Sequence, residues 1–132
     1  MKVIIFAASK GGASKTTLLF NLATYAAAQG HGVLMGDLDP QGSLRNLWEL
    51  RNELVNPRLV KMAKTVGETA NVIASAGYDK DFMLVDTPGS IFPIIRDAVA
   101  AADVVVLPTR PNPVDLRAQE DVVGMVEGER KL

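Results

Sequence analysis

The passage that most constrains this chain runs from Val3-Ile4-Ile5-Phe6-Ala7 into Ser9-Lys10-Gly11-Gly12-Ala13-Ser14-Lys15-Thr16-Thr17. Five apolar residues in a row, with no polar alternation, suit a strand buried on both faces, as in a parallel sheet covered by helices. Leu18, Leu22, Tyr25 and Ala26 then recur at helical spacing until Gly30 and Gly32 end the pattern. A buried strand, a glycine loop and a helix in that order make an anion cradle. Backbone N–H groups and the helix N-terminus surround phosphate, the lysine reaches the β and γ oxygens, and the Ser/Thr hydroxyl ligates magnesium. Lys15 and Thr16 fit the last two roles. The strict spacing G-x-x-x-x-G-K-[ST] is not met, because Ser9 and Ser14 stand at its two glycine positions. Gly11 and Gly12 keep the conformational freedom that a tight turn needs, while Ser14 would cost about 1 kcal/mol or more if its position required positive φ.

The rest of the chain repeats the strand–helix alternation. Val33-Leu34-Met35-Gly36-Asp37 reads as a second buried strand, stopped by Asp39-Pro40-Gln41-Gly42-Ser43 and followed by a short helix carrying Leu44, Leu47 and Trp48. Leu59-Val60-Lys61-Met62 predicts a third strand, 66–76 a helix, and Phe82-Met83-Leu84-Val85-Asp86 a strand halted by Thr87-Pro88-Gly89. Ile94, Ile95, Ala98, Val99 and Ala102 outline another helix, 103–107 a fifth strand, and 116–127 a last helix. Such alternation predicts an α/β fold with a doubly wound, mostly parallel sheet whose ligand site lies at the carboxyl ends of the strands. The turns around 10–17, 37–41 and 86–89 all fall at those ends, which predicts one composite site.

With 132 residues, 14 Lys+Arg against 15 Asp+Glu and 48% hydrophobic residues, the chain fits one globular domain spanning 1–132 and excludes a disordered or collagen-like one. The absence of cysteine excludes disulfides, thiolate metal sites and iron–sulfur clusters. Apolar runs far shorter than the ~20 residues of a bilayer span, and an opening strand that meets the glycine loop too soon for a signal peptide, predict a cytoplasmic protein. Near-neutral charge gives no global drive toward nucleic acid or acidic lipid. His31, between two glycines, is expected to be an exposed turn residue, and Trp48 a packing residue.

Lys10-Gly11-Gly12-Ala13-Ser14-Lys15-Thr16-Thr17 resembles the deviant Walker A motif, K-G-G-x-G-K-[ST]-T, of the ParA/MinD superfamily of ATPases, in which the first P-loop glycine is not required. Asp37-Leu38-Asp39-Pro40-Gln41-Gly42 is similar to the D-x-D-P-Q-G segment of ParA-type plasmid and chromosome partition proteins. Phe82 through Ser90 resembles the family's hhhhD-x-P-[PG] Walker B region. Ser14 departs from the pattern's glycine.

That resemblance implies a P-loop NTPase fold and an ATPase using ATP and Mg2+. Lys15 would bind the β/γ phosphates, Thr16 would coordinate magnesium, and Thr17 with the amides of Gly11, Gly12, Ala13, Ser14, Lys15 and Thr16 would hold the α/β phosphates. Lys10 would be the signature lysine that reaches a partner's phosphates in a nucleotide-sandwich homodimer, Asp39 would orient the attacking water, and Asp86 would hold magnesium through water, with Asp37 near the switch. It also implies non-specific DNA binding, a ParB-like stimulating partner, a nucleoid-associated location and no membrane. Family members continue further, so a chain of this length resembles the N-terminal part of a ParA-like ATPase, truncated at its C-terminus. The edge beside Val104-Val105-Val106-Leu107 is then expected to be open and to promote oligomerisation or poor solubility. Two other readings stay open: a MinD-like ATPase acting at a membrane surface, and a GTP-dependent or non-hydrolysing switch, to which Asp86-Thr87-Pro88-Gly89 fits as D-x-x-G.

Overall fold

The computed structural model describes residues 1–7, 13–51, 56–60, 62, 68–76, 79–89, 92–109, 111 and 113–129, of which 13, 14, 92, 115 and 118 are described by their backbone alone. Five strands form one sheet: β1 (Lys2–Phe6), β2 (Val33–Asp37), β3 (Arg58–Val60), β4 (Phe82–Asp86) and β5 (Val104–Val106). Their order is β3-β2-β4-β1-β5 and every pairing is parallel. Between and after them lie α1 (Ala13–Ala28), α2 (Ser43–Glu49), α3 (Thr69–Ser75), α4 (Phe92–Ala101), α5 (Pro113–Ala118) and α6 (Glu120–Glu129). The expected α/β fold, a P-loop NTPase-like parallel sheet wrapped by helices, is present.

Continuous apolar strands arise because both sheet faces are covered, so each parity of side chain needs an apolar partner. On one face Val3, Ile5 and Ala7 of β1 join Leu34, Met83, Val85 and Val105 beneath Ile73 of α3, Ile94, Ile95, Ala98 and Val99 of α4, and Val122 and Val126 of α6. On the other, Phe6, Val33, Met35 and Leu84 pack under Leu19 and Ala23 of α1 and Leu44 of α2. The β1-to-β2 connection passes β4 in one direction through α1, and the β4-to-β5 connection passes β1 in the other through α4. Opposite directions over opposite faces are what right-handed crossovers require. β1 and β4, neighbours from which the chain departs in opposite directions, therefore bound the switch point where α/β sheets bind ligands.

Several boundaries differ from the sequence reading, β1 and β5 by a residue at their ends and three elements by more. The third strand is Arg58–Val60, with Met62 buried just beyond it, and the third helix is Thr69–Ser75, capped by Glu68, while the part of the expected helix at 66–67 lies outside the described residues. The final helix is two: Pro113 opens α5, whose φ it presets, and the chain turns at Gln119 before α6. The repeat Leu18, Leu22, Tyr25 marks α1 as a helix but does not mark its buried face, which belongs to Leu19 and Ala23. Apolar residues spread over both flanks of the helix, leaving the stripe of Thr17, Asn21 and Thr24 polar, so spacing alone could not choose a side. Trp48 packs as expected, half-buried against the α1 layer with its indole N–H donating to the Pro57 carbonyl at 2.8 Å, and His31 is exposed. No helix among the described residues is long and apolar enough to cross a membrane.

Candidate nucleotide site

α1 starts at Ala13, which puts Lys15 and Thr16 in its first turn, at the carboxyl end of the sheet. Residue 14 is helical there, so the positive-φ penalty considered for a serine at this position does not arise. Both side chains turn inward: Lys15 is 3% exposed and Thr16 4%. They meet Asp86, the last residue of β4, which is fully buried. The Thr16 hydroxyl donates to Asp86 Oδ2 at 2.6 Å. Lys15 Nζ lies 3.1 Å from Asp86 Oδ1 and donates to the Thr87 carbonyl.

The platform under these groups is backbone. Thr87 donates its hydroxyl to the Phe6 carbonyl at 2.8 Å, and the Leu38 N–H donates to the Asp86 carbonyl at 2.9 Å. The ends of β1, β2 and β4 are thus tied together at the level of Asp86. Burying an ammonium and a carboxylate is costly unless they pair, and here they pair across two elements distant in sequence. Among the described residues Asp86 Oδ1 has no hydrogen-bonded partner, and it lies 3.1 Å from the Lys15 ammonium. A fully buried carboxylate oxygen in that state, 2.6 Å from a threonine hydroxyl through its sister oxygen, suits a hard cation with oxygen ligands. No cluster of three or more His, Cys, Asp or Glu able to hold a metal occurs among the described residues. Of the described residues, Thr16 directly and Asp86 through water would hold a magnesium ion here, its remaining ligands coming from phosphate and water.

Asp37 ends β2 in register with Asp86. It is 7% exposed, its Oδ1 accepts the Asp39 N–H at 3.0 Å, and its Oδ2 accepts the Arg45 N–H in the first turn of α2 at 3.3 Å. Burial, with smaller contributions from the Asp86 and Asp39 charges, pushes its carboxyl above the usual carboxylate range, although the two N–H donors pull the other way. Asp39 is half-buried in the turn, where its Oδ1 accepts the Gln41 N–H at 2.9 Å and its carbonyl accepts the Gly42 N–H at 3.0 Å. Gly42 sits at φ +69°, the left-handed conformation that closes this turn before α2 and that favours glycine.

Lys15, Thr16, Asp86 and Asp37 therefore converge as the sequence suggested, with Asp39 on the adjoining turn. Thr17 is exposed at the start of α1. Lys10, Gly11 and Gly12 lie outside the described residues, and Ala13 and Ser14 are described as helix backbone only. Two contributions were not foreseen: the Thr87 carbonyl as a lysine acceptor and the double backbone clamp made by Asp37. An Asp at a strand end, two residues before another Asp and a proline, was the available signal for the second.

A buried Lys–Thr pair on the first turn after β1, set against an Asp at the end of the neighbouring strand, defines a P-loop nucleotide-binding architecture. The chain belongs to the CobQ/CobB/MinD/ParA nucleotide-binding domain family, whose model matches residues 4–130. It is 34% identical over 117 residues to the protein ParA of Rhizobium radiobacter, covering 87% of this chain and 51% of that one. It is 32% identical over 152 residues to the chromosome-partitioning ATPase Soj of Thermus thermophilus, covering 93% and 59%. The fold superposes on cobyrinic acid a,c-diamide synthase from Mycobacterium smegmatis, solved with ADP and magnesium, with a TM-score of 0.82 at 20% identity, covering 98% of this chain and 68% of that one. The chain thus spans between half and three fifths of these two curated relatives.

Proposed function

We propose that this chain is the nucleotide-binding part of a ParA-type ATPase, which binds and hydrolyses ATP with magnesium in a homodimer and acts in plasmid or chromosome partition. The observation that carries it is the meeting of Lys15 and Thr16 with Asp86 at the carboxyl edge of the sheet. The Asp37-Leu38-Asp39-Pro40-Gln41-Gly42 segment and the likeness to two partition proteins support the choice within the family.

In this reading Lys15 leaves Asp86 and Thr87 to neutralise the β and γ phosphates, while the N-terminus of α1, the amides of residues 11–16 and Thr17 receive the remaining phosphate charge. Magnesium, held by the Thr16 hydroxyl and through water by Asp86, would offset charge developing on the phosphate oxygens. Asp39 orients the attacking water, and Lys10 supplies positive charge in trans from the second subunit, which ties hydrolysis to the dimer. The ATP-bound dimer binds DNA non-specifically in the cytoplasm at the nucleoid, and a ParB-like protein stimulates hydrolysis and release.

Calorimetric titration with ATP, ADP and GTP in magnesium, followed by phosphate-release assays, tests the proposal. Adenine nucleotides should bind the parent and fail to bind Lys15→Ala, and Thr16→Ala should lose the magnesium-dependent part of the affinity. Binding of GTP alone would overturn the ATPase assignment, and equal ATP binding by Lys15→Ala would overturn the site.

A further inference from the structure

Two different cations have a claim on Asp86. Its carboxylate is fully buried, Oδ2 accepts the Thr16 hydroxyl proton at 2.6 Å, and Oδ1 has no hydrogen-bonded partner among the described residues. A hydroxyl that donates to a carboxylate keeps its lone pairs for a cation, so the Thr16 contact does not compete with a metal ion. Oδ1 is the oxygen left for a divalent cation or for its water, and it lies 3.1 Å from Lys15 Nζ. An ammonium and a metal ion against one buried carboxylate repel each other, and away from water that repulsion is poorly screened.

The seat of the lysine is built from three strands. Nζ donates to the Thr87 carbonyl as well, and Thr87 is fixed from its other side by the hydroxyl bond to the Phe6 carbonyl at 2.8 Å. The Asp86 carbonyl accepts the Leu38 N–H at 2.9 Å. The ends of β1, β2 and β4 thus hold two acceptors in place for one ammonium that is only 3% exposed. Yet this seat adjoins the first turn of α1, where unpaired N–H groups disfavour positive charge. An incoming anion satisfies the helix end and the ammonium together. A dication arriving by itself meets like charge from both.

We propose that Lys15 is a built-in counter-ion that keeps divalent cations off Asp86 and Thr16 until nucleotide draws it away, so that metal enters with the phosphates or after them. This adds an order of binding to the reading of Thr16 and Asp86 as magnesium-holding residues given above, on which it rests. One consequence separates it from a lysine that only binds phosphate. Removing the Lys15 charge abolishes the phosphate contact and at the same time creates a cation site that needs no nucleotide.

Manganese(II) shares the oxygen-ligand preference of magnesium and is counted directly by electron paramagnetic resonance. Without nucleotide, the parent should bind none at concentrations up to about 1 mM, whereas Lys15→Met, which keeps the stem of the lysine without its charge, should bind at least about 10-fold more tightly. Lys15→Met combined with Asp86→Asn should lose that binding. Because Lys15→Met leaves Asp86 buried and unpaired, it should melt below the parent, and magnesium at about 5 mM should raise its melting temperature while sodium at equal ionic strength does not. If the variant is unfolded without metal, recovery of the folded fraction by magnesium is the same readout. A parent that binds manganese without nucleotide as tightly as Lys15→Met would overturn the proposal. So would a variant that gains neither manganese binding nor magnesium-dependent stability. The parent with ATP is the control that separates the two readings. Manganese binding there leaves the magnesium site standing when the order of binding fails, and its absence there removes the site and the proposal together.

Discussion

At the scale of single residues, the site is an exchange of partners. Without ligand, the Asp86 carboxylate compensates the Lys15 charge in a place from which water is excluded. Lys15→Ala should therefore destabilise the ligand-free fold by about 3–5 kcal/mol, as removal of one member of a buried pair does, and adding Asp86→Asn should return part of that loss. Chemical denaturation of the two single variants and the double variant checks it, with non-additivity as the signature. Asp37 gives the opposite pH sign from a paired carboxylate. Its pKa is higher folded than unfolded, so the folded state holds the extra proton, and stability from this group is present at low pH and lost as pH rises through the folded value. Asp37→Asn should accordingly gain on the parent as pH rises from about 4 to 7, measured as the difference in melting free energy. Lys15, Thr16 and Asp86 were legible because a short motif states both their types and their spacing. The Asp37 clamp was less so, because its acceptors serve backbone N–H groups that no side-chain pattern reveals.

At the scale of elements, strands were easier to place than helix faces. A strand covered on both sides needs only an apolar run, and β1, β2 and β4 have one. A helix face must be read from contrast, and α1 offers little, since Leu18 and Leu19, or Leu22 and Ala23, look alike in sequence but differ in the structure. Leu19 is fully buried in the core layer with Phe6, Met35 and Leu84, whereas Leu18 is 38% exposed. Leu19→Ala should cost about 2–5 kcal/mol and Leu18→Ala well under half of that in a monomeric state, by urea denaturation at low protein concentration. Equal losses would mean that the helix is rotated from the orientation described. The break of the last helix into α5 and α6 was hidden for a related reason: Pro113 announces a helix start, but nothing in 116–127 announces the turn at Gln119.

At the scale of the whole molecule, the site is where separate parts of the fold are joined. Lys15 and Thr16 belong to α1, which covers one face, while Asp86 and Thr87 continue β4, whose other side supports α3, α4 and α6. The same level is tied to β1 through Thr87 and Phe6 and to the turn after β2 through Leu38 and Asp86. A phosphate chain with magnesium drawn into this junction would be held by the first turn of α1 and the end of β4 together, and local opening of either would release it. Ligand binding should then act on global unfolding rather than on one helix. At a nucleotide concentration 100 times Kd the gain is about 2.7 kcal/mol, which for a chain of this size is a rise in Tm of roughly 8–13 °C. The transition should remain single, with far-ultraviolet circular dichroism and Trp48 fluorescence moving together, since Trp48 of α2 packs against the core layer that α1 covers. The rise should vanish in Lys15→Ala when each variant is compared with its own ligand-free state. If only the fluorescence midpoint moved, nucleotide would be stabilising the α1 layer alone, and the junction at Asp86 would not be what couples the two faces.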